Sequence, residues 1–74
     1  ADGKLLMQGL LTYYSQTSPE NDFNTYAEIV FSEPKIMSSF CSVYKGIEHK
    51  YEYVKAFYLK ISADFQPVFD RVSC

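Results

Sequence analysis

The chain has 74 residues, 47% of them apolar and 18% aromatic, with seven basic and nine acidic side chains for a net charge of −2. A chain this short has room for one core, so a single domain over 1–74 is expected. The balance excludes low-complexity disorder. It excludes a membrane-spanning helix, because no stretch approaches about eighteen uncharged apolar residues. It also argues against a nucleic-acid partner, since a module of that kind needs Lys and Arg in excess.

Punctuation is sparse, with three Gly and three Pro. The first periodic segment covers 2–16. On a wheel of about 100° per residue it places Leu6, Met7, Leu10, Leu11, Tyr13 and Tyr14 together, and only Leu5 falls out of register. The pattern predicts a helix capped by Asp2 that tolerates Gly9 on its polar face at a cost of about 1 kcal/mol.

Ser18-Pro19-Glu20 is a helix-start signature: a capping hydroxyl, Pro at the first position and an early acid. Phe23, Tyr26, Ala27 and Val30 then recur at i, i+3, i+4 and i+7, which is one helix face. The third helix is expected over 33–45, with Ser32 as cap, Pro34 in the first turn and Gly46 as a left-handed C-cap. It would bury Ile36, Met37, Phe40, Cys41, Val43 and Tyr44.

The fourth segment spaces Ile47, Tyr51, Val54, Tyr58 and Ile61 by alternating fours and threes, the seam of a packed helix. Its richness in strand formers supports an α+β alternative with strands near 24–32 and 50–62. An all-β chain needs more turns than these residues supply. The fold expected is therefore mainly α, a small bundle of about four helices. A final turn over 67–72 would return Cys74 toward Cys41.

Those two cysteines fit no CxxC metal or redox spacing. A small domain has a marginal core, so a Cys41–Cys74 disulfide acting as a staple is the expectation. It implies a secreted, periplasmic or lumenal location. Ala1 in place of an initiating Met fits a mature chain after leader removal, and equally a residue added in expression.

Catalytic motifs are missing. His49, the one histidine, has no nucleophile context and reads as a surface residue. HExxH, CxxC and clustered glycines for phosphate are absent, so no cofactor and no metal is expected. The run from Glu20 to Asn24 spaces oxygen ligands as a calcium loop does, but lacks the turn glycine and the bidentate Glu. A capped helix start accounts for those residues better.

The seven tyrosines stand above background. Tyr joins a large apolar body to a polar tip and serves both core and recognition surfaces. Most fall on core stripes. Tyr51, Tyr53, Phe57, Tyr58 and Leu59 are nominated as an aromatic patch for a protein partner or for self-association. The function expected is a small secreted or periplasmic protein-binding module, of inhibitor or immunity type, rather than an enzyme. The alternatives are a carrier of a small apolar ligand, or a subunit of a homo- or hetero-oligomer.

Overall fold

A computed structural model describes residues 3–12 and 16–74. Five helices follow in order: α1 (Gly3–Met7), α2 (Pro19–Ser32), α3 (Pro34–Val43), α4 (Lys45–Ile61) and α5 (Gln66–Phe69), with a 3-10 turn at Ala63–Phe65 before the last. The chain is mainly α, and no strand occurs among the described residues. Segments 24–32 and 50–62, the strand alternative, lie within α2 and across α4 and its C-cap. Their β-branched and aromatic residues pack at helical spacing, and that burial outweighs intrinsic strand preference.

The first segment departs most from its pattern. α1 stops at Met7 instead of running to residue 16. Gly9 has φ of +80°, a conformation open chiefly to glycine. The Leu10 N–H donates to the Leu5 carbonyl at 2.8 Å and the Gly9 N–H to the Leu6 carbonyl at 3.0 Å, the two bonds of a Schellman stop. Gly9 is therefore a helix terminator and not a tolerated interior residue. With the helix ended, Leu5, Leu6 and Leu11 are buried and Met7 is exposed, the reverse of the wheel for Leu5 and Met7. The Asp2 cap and the core placement of Tyr13 and Tyr14 lie outside the described residues.

α2 begins as its sequence indicates. Ser18 is the N-cap, its hydroxyl accepting from the Asn21 N–H at 3.1 Å, and Pro19 occupies the first turn. Tyr26, Ala27 and Val30 are buried on one face, with Phe23 packed at its edge. The oxygen-rich run at its start is the first turn and a half of this helix, which leaves the calcium-loop resemblance without a loop.

Two single-residue corners join the long helices. Glu33 closes α2, donating to the Ile29 carbonyl at 2.7 Å, and its own carbonyl accepts from Ile36 at 3.0 Å. Pro34 disfavours α geometry in the residue before it, and Glu33 sits at φ −140°, ψ 62°. The expected Ser32 cap is instead the last residue of α2, its hydroxyl donating to the Glu28 carbonyl. Tyr44 makes the second corner, in extended backbone between α3 and α4. Gly46 lies inside α4, so it is not the C-cap of α3. The two glycines pack backbone to backbone: a Cβ on Gly9 would sit 3.3 Å from the Gly46 carbonyl oxygen, whereas one on Gly46 would make ordinary contact with Gly9 at 3.4 Å.

α4 is the central element, packing against α1, α2, α3 and the 3-10 turn. Ile47, Tyr51 and Val54 form its buried stripe and meet Leu6, Leu11, Tyr26, Val30, Met37, Cys41 and Phe69. α3 buries a narrower stripe than its wheel indicates, Met37 and Cys41 being covered while Ile36 and Val43 are exposed. Ile61, assigned to the seam of α4, is also exposed, because the chain turns away at Ser62 and nothing is laid over that side.

The Cys41–Cys74 disulfide is present, with Cα atoms 5.4 Å apart. Beside it the Ser73 N–H donates to the Ser38 hydroxyl at 2.9 Å, and that hydroxyl donates to the Pro34 carbonyl at 2.9 Å. The bridge thus fastens residues 70–74 along α3 and holds the four-residue α5 against α2. A loop of 33 residues closed in this way removes unfolded-state entropy worth about 3–4 kcal/mol.

Two outcomes test this account. Cys74→Ser leaves the buried Cys41 in place and is expected to lower unfolding free energy by about 3–4 kcal/mol in urea titration; a loss below about 1 kcal/mol contradicts the staple. Gly9→Ala puts a Cβ at positive φ against the Gly46 carbonyl and is expected to cost about 1–3 kcal/mol, while Gly3→Ala, whose Cβ meets nothing within 4 Å, is expected to be near neutral.

Candidate functional site

α4 supplies the site because only one of its sides is used by the core. Its other side, at i, i+4 and i+8, carries Tyr53, Phe57 and Ile61, which are 69%, 45% and 62% exposed. Basic residues lie among them: exposed His49, half-buried Lys50 and exposed Lys60. Lys60 has no ion-pair partner among the described residues. A face with local positive charge therefore sits on a chain whose net charge is −2.

The five nominated contact residues separate in space. Tyr53 and Phe57 share the exposed side. Tyr51 is 2% exposed and belongs to the core, its hydroxyl donating to the Phe69 carbonyl at 3.4 Å, so it offers no surface for contact. Tyr58 is half-buried, with its ring among Phe23, Phe31, Phe57, Phe65 and Phe69 at centroid distances of 5.0–6.0 Å. Leu59 is half-buried and lies about 120° around the helix from Tyr53, outside the shared face. Ile61 and Phe31 are the exposed apolar neighbours that the helical pattern missed. Ile61 sat on a stripe expected to be covered, and the path of the chain beyond it leaves it open; Phe31 was on no expected stripe and stays 41% exposed although its ring packs against Phe65 and Phe69.

Phe57 is held rather than free. Its ring meets Phe23 edge-on at 5.1 Å and Tyr58 at 5.7 Å. Such pairs add about 0.5–1.5 kcal/mol beyond area burial and fix ring orientation. The exposed edge of Phe57 is therefore preorganised from beneath.

Next to this face a groove of about 310 Å3 runs between the start of α2 and the first half of α4. Asp22, Phe23 and Tyr26 line one side and Lys50, Tyr53 and Val54 the other, with His49 also bordering it. A smaller hollow of about 230 Å3 lies beyond Tyr53, between Ala56, Phe57 and Lys60. Tyr53 is the wall common to both.

The groove has one polar end. Lys50 Nζ bonds Asp22 Oδ2 at 2.6 Å, joining positions 28 residues apart. Asp22 Oδ1 is buried without a protein partner. No local spacing marks this pair; it exists only because α2 and α4 cross. The Tyr26 hydroxyl donates to the Gly9 carbonyl at 2.6 Å, so its proton is committed. Burial, and secondarily the nearby Asp22 charge, pushes that phenol well above the usual range. Tyr51 is pushed up to about 12 by burial and, less, by Glu52 and Asp70.

Among the described residues no group of three or more His, Cys, Asp or Glu is placed to hold a metal ion, and no helix is long and apolar enough to cross a membrane. No protein-family model matches the chain, and neither a curated protein nor a solved structure matches it.

The two shifted phenols make stability depend on alkaline pH. Each binds its proton more tightly folded than unfolded, so the stabilisation is complete below pH 10 and is lost as pH rises through and beyond about 12. Spectrophotometric titration is expected to show Tyr26 and Tyr51 ionising only in that late range, together with loss of the helical signal. Tyr51→Phe is expected to remove one late phenol; a titration in which all tyrosines ionise near 10 contradicts the burial of both.

Proposed function

We propose that the protein is a small protein-binding module that acts by occupying part of a partner's surface, with the outer side of α4 as its contact face. The observation that carries this reading is the exposure of Tyr53, Phe57 and Ile61 on one side of the helix that organises the core. Aromatic anchors in a small apolar patch with a polar rim are the arrangement that interface hot spots favour. The rim here is Lys50 and Lys60 with His49. The complementary partner presents an apolar surface edged by carboxylates.

A contact module profits from rigidity, because side chains already held in place lose less entropy on binding. Phe57 is fixed by Phe23 and Tyr58, and the disulfide fastens the far side of the domain. A disulfide also fits an oxidising compartment, so the module is proposed to act outside the cytosol, as a secreted, periplasmic or lumenal inhibitor or immunity-type protein. Such a role asks for surface occupation and no reacting group.

The test uses Tyr53→Ala with Ile61→Ser, both exposed and both outside the ring contacts of the core. A partner retained by the immobilised protein is purified and its affinity measured by calorimetry. The double variant is expected to bind about 30-fold more weakly, as for loss of a hot spot worth about 2 kcal/mol, with its melting temperature unchanged. Unchanged affinity removes α4 as the contact face. Sedimentation velocity showing a wild-type dimer that the double variant abolishes would overturn the separate-partner reading in favour of self-association.

A further inference from the structure

We propose that the groove between α2 and α4 binds a small neutral aromatic molecule carrying a hydroxyl group, a phenol or an aryl alcohol. The volume sets the first limit. About 310 Å3 lies at the small end of ligand cavities, which run from about 300 to 1,000 Å3. It accommodates a single substituted ring and not a long acyl chain. Its walls suit a ring, since Phe23, Tyr53 and the body of Tyr26 present aromatic surface and Val54 closes the space between them.

The polar end selects the functional group. Asp22 Oδ2 is engaged by Lys50, while Oδ1 is a buried acceptor with no protein partner. A buried acceptor left unpaired is costly, so a donor that reaches it is worth more than one offered to solvent. Asp22 lines the groove, and a small turn about its soft terminal torsion would let a ligand donor meet Oδ1 while Oδ2 stays on Lys50. Lys50 uses one of its three N–H bonds on Asp22, and the remainder are free to donate.

A hydroxyl matches both partners at once, donating to Asp22 Oδ1 and accepting from Lys50 Nζ. Other heads match less well. An ammonium adds a second positive charge beside Lys50, and a carboxylate adds a second negative charge beside Asp22. A plain hydrocarbon ring leaves Oδ1 unpaired. Tyr26 is not a competing donor, because its proton is held on the Gly9 carbonyl. The site draws on Asp22 and Phe23 of α2 and does not need Phe57 or Ile61, although it shares Tyr53, Lys50 and His49 with the contact face.

Three probes of nearly the same size decide it: 4-ethylphenol, which donates and accepts; 4-ethylanisole, which only accepts; and ethylbenzene, which does neither. Each is titrated into the isotope-labelled protein and followed by heteronuclear NMR. 4-Ethylphenol is expected to give saturable shifts at the amides of Asp22, Phe23, Lys50 and Tyr53, and to bind at least about tenfold more tightly than the other two. Asp22→Ala is expected to erase that preference. Tyr53→Ala, at an exposed position, is expected to weaken every probe. Equal binding of the three, shifts centred outside these residues, or no saturable shift overturns the proposal. The wild-type comparison decides the matter even if Asp22→Ala does not fold, and none of these readouts depends on the protein partner.

Discussion

Tyr58 of α4 is the residue on which the far end of the domain is assembled. Its ring lies at 5.0 Å from Phe65 and 5.9 Å from Phe69, which belong to the 3-10 turn and α5. It also lies at 5.5 Å from Phe31 and 6.0 Å from Phe23, both on α2. Helices of three or four residues have no independent stability, because nucleation costs more than so few hydrogen bonds return. The C-terminal elements therefore exist through these ring contacts, the complete burial of Phe69, and the disulfide that fastens the chain just beyond it. The cluster and the covalent bond act on the same segment from opposite ends.

At the other end of α4 the constraint is backbone approach. Gly9 and Gly46 meet backbone to backbone, so that a Cβ on Gly9 would crowd the Gly46 carbonyl, and the buried Tyr26 hydroxyl fixes the Gly9 carbonyl. One turn thus joins three elements: the Schellman stop of α1, the first turn of α4 and the middle of α2. The groove lies beside it, bordered by that same tyrosine. Its shape depends on the positions of α2 and α4 at this junction and not on a loop of its own.

Between these two anchors α4 turns one side to the core and leaves the other uncovered. The exposed side carries aromatic and basic residues together, opposite in sign to the chain as a whole. An apolar surface beside Lys60, a cation unpaired among the described residues, is costly to leave in water, and its presence on the best-supported helix fits the proposed contact role.

The helical reading was legible in the sequence wherever burial obeys a fixed angular step. Phe23, Tyr26, Ala27 and Val30, and Ile47, Tyr51 and Val54, announce α2 and α4 because helix geometry repeats from turn to turn whatever the rest of the chain does. The Ser18-Pro19 start was legible for a related reason, since capping is a contact between neighbours in sequence. The Cys41–Cys74 pairing followed from there being two cysteines and a small core. What depends on distant residues was not legible. A wheel assumes that its helix continues, so it could not foresee Gly9 ending α1, nor that Gly46 lies inside α4 instead of capping α3. Nor could it tell which apolar edges would be covered: Ile36, Val43 and Ile61 are exposed. The Asp22–Lys50 pair and the groove beside it have no local signature, because they are made where two helices cross. Sequence alone marked the helical periodicity of α2, α3 and α4 and the core side of each, through interactions a few residues long. Only the tertiary structure decided which faces are left open, because that is set by where the chain turns after each helix and what it lays across the one before.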